Sequence, residues 1–110
     1  SLAETLRKRA VDGRTYLVLG MLEDKDIGRF TEHLAPLVDC WCLAGLEAAR
    51  GLTSAALRAR MSHTIDPADI ACFPDVAAAI RHANNAASAD DRIVVCGSFH
   101  TVAEAMAGDV

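Results

Sequence analysis

Four short runs rich in apolar residues punctuate this chain: "RTYLVLG" at 14–20, "VDCWCLAG" at 38–45, "IACF" at 70–73 and "DRIVVC" at 91–96. Each is too short for a helix of ordinary length and is bounded by Gly, Pro, Asp or Ser, so each reads as a buried strand. Between and after them the apolar residues recur every three or four positions, which is helical spacing. Strands that alternate with helices imply parallel pairing, because a parallel partner is reached only through a crossover and the helix is that crossover. The fold class that follows is α/β, with a mostly parallel sheet covered on both faces.

The helices carry their own start and stop signals. "SLAETLRKRA" sets Leu2 and Leu6 four apart and ends in basic residues, as a helix under way at Ser1 would. "EDKDIGRFTEHLAPLV" puts Ile27, Phe30 and Leu34 on one face, with Asp24 or Asp26 as cap and Pro36 near the end. Thr53 caps a helix whose core face is Leu57 and Met61, and Pro74 opens one carrying Val76, Ile80 and Ala83. Thr101 with Glu104 forms a capping-box pattern for a last helix, closed by Gly108.

A chain of 110 residues is one domain, and no repeat or internal linker divides it. The net charge of −4, with both signs interspersed, argues against a nucleic-acid platform, which needs a basic patch. No apolar run is long enough to span a bilayer and no signal peptide opens the chain. The cysteines Cys40, Cys42, Cys72 and Cys96 lack the spacing of a zinc site and sit in apolar runs, so they read as buried, reduced thiols of a cytoplasmic protein. No metal-ligating cluster, GxGxxG, P-loop or GxSxG is present.

Ligands of open parallel sheets bind beyond the carboxyl ends of the strands. The candidate loops are therefore 20–26, 45–53, 73–75 and 97–101. In the last, Ser98 and His100 precede the N-terminus of the helix that Thr101 caps, where unpaired N–H groups and the helix dipole favour a carboxylate. Ser98 offers a hydroxyl, His100 a ring nitrogen, and Gly97 a backbone that a ligand can approach. The plainer alternative is that both are solvated loop residues. Asp24, Lys25 and Asp26 could meet a phosphate, a ribose or a metal, or form only a capped, charged helix start. Glu47 and Arg50 could pair across their loop, an exposed arrangement worth little. His33, His63 and His82 have no ligand partner at useful spacing, and Trp41 belongs in the core.

Three stretches together carry a resemblance: "VLGMLEDKDI", "VDCWCLAGLEAARG" and "VVCGSFHTVAEAM". They resemble, in order and spacing, the C-terminal domain of the bifunctional dihydrofolate synthase/folylpolyglutamate synthases of the Mur ligase superfamily, over roughly Leu17 to Met106. The resemblance implies a Rossmann-like three-layer domain. It implies a parent enzyme that uses ATP and Mg to activate a carboxyl group of dihydropteroate or a folate as its phosphate, which the amine of L-glutamate then attacks. ATP and Mg are bound mainly by a larger N-terminal domain with a P-loop. Ser98 and His100 match the family's Gly-Ser-x-(His or Tyr) motif on the glutamate side. Asp24, Lys25 and Asp26 match a loop that serves the nucleotide or the domain interface.

The chain departs from the family in two places. The Asp-x-Ala-His-Asn-Pro motif and its strand are absent upstream of Ser1. Prolines common in the family are missing from Ala44-Gly45-Leu46 and from Ala48-Ala49-Arg50-Gly51, which should loosen that loop. Residues 1–110 are accordingly expected to be the C-terminal domain of a longer two-domain ligase, with no catalytic residue of their own and no activity alone. The expected partners are L-glutamate, dihydropteroate or folate, ATP and the chain's own N-terminal domain. If the upstream strand belongs inside the sheet, its loss predicts self-association. The alternatives are another Mur-type ligase, or a non-enzymatic α/β binding module similar to a receiver domain; the latter needs a lysine after a late strand, where this chain has Cys96-Gly97-Ser98.

Overall fold

The structure, a computed structural model, describes residues 2–47 and 49–97. Helix α1 (Leu2–Lys8) leads into strand β1 (Thr15–Gly20), followed by α2 (Ile27–Leu34), β2 (Cys40–Ala44), α3 (Ser54–Met61), β3 (Ile70–Phe73), α4 (Val76–Ala86) and β4 (Arg92–Gly97). The strands form one parallel sheet in the order β3-β2-β1-β4. No interior position of this sheet is vacant, so a further strand could join only outside β3 or β4. An upstream strand inside the described sheet, the premise of the self-association argument, is not what this order accommodates.

Central β1 shows why a fully buried strand reads as a continuous apolar run. All six of its residues are buried, and alternate side chains serve opposite faces. Leu17 and Leu19 enter one core cluster with Trp41, Leu43, Leu57 and Met61, under α1, α2 and α3. Tyr16 and Val18 enter the other with Cys42, Val76, Ala79 and Ala83, under α4. Trp41 is a core residue, 1 % exposed.

The caps lie where the sequence puts them. Asp26 accepts from the Arg29 N–H at 3.2 Å, so it and not Asp24 caps α2. Thr53 accepts from the Ala56 N–H at 3.1 Å at the start of α3. At α4 the cap is Asp75, which accepts from the Ala78 N–H at 2.8 Å, so Pro74 lies before the helix and not in its first turn. Pro36 tightens the end of α2 into a 3-10 turn, Ala35–Leu37, because it cannot donate to a helical ladder. Buried Thr31 donates its hydroxyl to the Ile27 carbonyl at 2.6 Å. No buried side-chain polar atom among the described residues lacks a partner.

Candidate functional site at the carboxyl edge of the sheet

From β1 the chain steps outward to β2 and β3 with α2 and α3 on one face, then returns past β1 to β4 with α4 on the other. The order reverses between β1 and β4, and in open parallel sheets the crevice at such a reversal is where ligands bind. Gly20 and Gly97 lie there, paired in register at the ends of the two strands. Gly97 has a φ of +134°, and a Cβ on it would run into the Gly20 carbonyl oxygen. The sequence suggests that Gly97 admits a ligand; the structure shows that it is already required by the close passage of Gly20. Ser98 and His100 follow directly in the chain; they lie outside the described residues, as does the helix expected after Thr101.

The loops after β1 and β2 are stitched together. Leu22 and Gly51 form an antiparallel bridge. Glu23 donates its N–H to the Arg50 carbonyl at 2.7 Å, Leu52 to Met21 at 3.0 Å, and Leu46 to Leu52 at 3.2 Å. Arg60, in the last turn of α3, adds a guanidinium bond to the Glu23 carbonyl at 2.8 Å. Met21, Leu46 and Leu52 are buried beneath these bonds. The loop expected to be loose without its prolines is therefore tied to its neighbour by backbone pairing. Gly51 is needed for this, since a Cβ there would strike the Leu46 carbonyl.

This lobe presents Asp24 and Lys25, both exposed, at its tip, with the Lys25 N–H turned back onto the Leu22 carbonyl at 3.3 Å. Asp26 has a structural task as cap, so the three adjacent candidates divide into two outward-facing charges and one fixed residue. Arg50 contributes its carbonyl to the lobe. Beside it, Gly45, Leu46, Glu47, Thr53, Ser54 and Pro74 line a cavity of about 260 Å³ between the ends of β2 and β3 and the start of α3. Sequence reasoning assigns no role to this cavity. Its signal in the sequence is Gly45, whose missing side chain lets the β2 end pass the Pro74 carbonyl, 2.7 Å from where a Cβ would stand.

No group of three or more His, Cys, Asp or Glu among the described residues is placed to hold a metal ion. His33, His63 and His82 are exposed, and the His82 ring lies 4.9 Å from that of Phe73. All four cysteines are free. Cys42 is buried, and its thiol is pushed up to about 11 by that burial and by Cys40. Cys96 is pushed up to about 12 by desolvation alone. Cys72 is exposed, against expectation, because it lies on outer strand β3 near the start of α3, where its sulfur meets the Ser54 carbonyl at 3.7 Å. No helix among the described residues is long and apolar enough to cross a membrane.

Comparison with known proteins agrees with this architecture. Residues 1–99 match the family described as Mur ligase, glutamate ligase domain. The chain is 41% identical over 95 residues to dihydrofolate synthase/folylpolyglutamate synthase of Escherichia coli (strain K12), covering 86% of this chain and 21% of that protein. The fold aligns with Escherichia coli FolC in complex with DHPP and ADP at a TM-score of 0.86 and 38% identity, covering 96% of this chain and 24% of that one. A bifunctional folylpolyglutamate synthase/dihydrofolate synthase with Mn, AMPPNP and L-glutamate bound aligns at a TM-score of 0.78 and 37% identity, covering 96% and 25%. The chain thus spans between a fifth and a quarter of the length of these relatives. From the four-stranded parallel sheet, its stitched carboxyl-edge loops and a family match over residues 1–99, the chain belongs to the Mur ligase family, as a glutamate ligase domain.

Proposed function

We propose that this chain is the glutamate-positioning C-terminal domain of an ATP-dependent amide ligase that adds L-glutamate to dihydropteroate and to folates. The observation that carries the reading is the alignment, over 96% of the chain, with a ligase that holds Mn, AMPPNP and L-glutamate. Residues 1–110 are then one domain of a longer cytoplasmic enzyme whose N-terminal domain cradles ATP and Mg. The nucleotide supplies the phosphoryl group that activates the acceptor carboxyl. This chain's part is to hold the amino acid. Ser98 and His100, which follow Gly97 in the chain, take the carboxylate of the incoming glutamate and so orient its amine. Asp24 and Lys25 face the nucleotide or the domain interface, on a lobe held still by the bonds to Arg50 and Arg60. Without a phosphate cradle the isolated domain turns nothing over; dihydrofolate formation by the purified chain, supplied with ATP, dihydropteroate and L-glutamate, would sink that part of the reading.

The central test uses the parent enzyme. Ser98→Ala and His100→Ala should each raise the concentration of L-glutamate required, by roughly ten- to a hundredfold, while the requirement for ATP stays nearly constant. A hydrogen bond to a charged group is worth about 1.5–3 kcal/mol, which sets that range. Phe99→Ala serves as the comparison, and should lower stability without selective loss of glutamate use. Steady-state kinetics separate the outcomes, and unchanged glutamate dependence in both variants would reduce the loop to a turn.

A further inference from the structure

Arg60 stands in the last turn of α3, and its side chain leaves the helix for another part of the fold. Its neighbour Met61 and Leu57, one turn earlier, are fully buried in the core cluster. Those two close-packed side chains fix where the Arg60 backbone stands, since a filled core leaves little room to shift. From there the guanidinium reaches 37 positions back along the chain and donates to the Glu23 carbonyl at 2.8 Å. Glu23 also donates its N–H to the Arg50 carbonyl at 2.7 Å. Both backbone polar groups of Glu23 are thus held, one from the loop after β2 and one from α3.

The next two residues carry the exposed side chains of the tip, Asp24 and Lys25. Lys25 gives its N–H to the Leu22 carbonyl at 3.3 Å and accepts the Ile27 N–H on its own carbonyl at 3.0 Å. Beyond it, Asp26 caps α2 and Ile27 is buried, so the helix side of this turn is anchored in the core. The other side ends at Glu23, an exposed residue, and there the link to a packed helix is the Arg60 side chain. An ammonium on such a turn serves a phosphate well only if it is already placed. A lysine ordered at the moment of binding loses much of the contact's free energy to entropy.

We propose that Arg60 is a positioning residue for nucleotide use: by taking the Glu23 carbonyl it fixes the turn that presents Lys25, and Lys25 meets the phosphates of ATP in the parent enzyme. This rests on the reading that the Asp24–Lys25 tip faces the nucleotide. Arg60 acts through the backbone of 23–25. A guanidinium suits the task, because it stays charged and its planar fork of donors keeps a fixed direction.

The test has a local arm and a kinetic one. In the 110-residue chain, Arg60→Met should speed hydrogen exchange at the Glu23 and Lys25 amides by about two- to tenfold, the weight of one hydrogen bond, while exchange in β1 stays that of the unmodified chain. In the parent enzyme, Arg60→Met should raise the ATP requirement by a similar factor and leave the L-glutamate requirement nearly constant, with Arg60→Lys restoring part of the loss. Lys25→Met should raise the ATP requirement at least as far. Adding Arg60→Met to it should change little more, because without the lysine the arginine has nothing to place. Effects of the two substitutions that simply multiply would overturn the proposal, as would unchanged exchange at Glu23 and Lys25. An ATP requirement raised by Lys25→Met but not by Arg60→Met would overturn it alone. One indifferent to Lys25→Met would overturn it together with the reading beneath it.

Discussion

Asp91 does more than its place in a turn announces. It accepts the Ser88 N–H and the Arg14 N–H, both at 2.7 Å, and so pins the end of the α4 segment to the start of β1. Those two donors, Ser88 first, favour the ionised carboxylate and hold its pKa below the ordinary value. Because the unfolded chain binds this proton more readily, Asp91 contributes stability above about pH 4, and the contribution is lost as pH falls through the lower folded value. Asp91→Asn should therefore be less stable than the parent chain at neutral pH, and the gap should close in acid. Thermal unfolding followed across pH tests this; a gap that persists unchanged at about pH 2 counts against it. At this scale the sequence is legible where a residue acts on its neighbours, as with the caps at Asp26 and Thr53. It is illegible where the partner is remote. Gly97 reads as a ligand's doorway until Gly20 is seen beside it, and Cys72 reads as buried until β3 proves to be outermost.

Elements show the same division between what is local and what is not. The two leucines of α1 announce a helix, but seven residues with Leu6 alone buried cannot stand by themselves in water. Beside the packing of Leu6 in the core, Arg92 of β4 holds α1. Its guanidinium donates to the Leu6 carbonyl at 3.2 Å and to the Arg9 carbonyl, and its Nε donates to the Thr15 hydroxyl at 2.7 Å. One side chain thus satisfies carbonyls at the end of the first helix from the last described strand, 86 positions away. Arg92→Met should free α1 while leaving the sheet intact, at a cost on the order of 1 kcal/mol for each lost bond. Hydrogen exchange should then rise across 2–10 and stay low in β1 and β2; uniform acceleration would mean that Arg92 supports the whole fold and not this helix. The lobe at the carboxyl edge was hidden for the same reason. Its bonds join 21–23 to 50–52, and two loops read separately disclose no contact.

For the whole molecule, alternation of strand and helix establishes a parallel sheet in layers, but not the order of its strands. That order depends on which face each crossover takes, and right-handed crossovers with α2 and α3 on one side and α4 on the other permit the arrangement found. Among the described residues no strand pairs with the outer sides of β3 and β4, and such ladder groups are a template for another chain. Self-association of the 110-residue chain through one of these outer strands is the expected outcome, read by light scattering over a concentration series; a monomer throughout would mean that both flanks are closed in solution. The same order has a consequence for synthesis. Strand β1, the most deeply buried, leaves the ribosome first of the four, gains β2 within a short stretch, and waits for β4 until the other three have emerged. Any polypeptide that stops before Arg92, nascent or clipped by a protease, carries its central strand with one flank unsealed, and only translation of the final strand turns that adhesive side into the middle of the sheet.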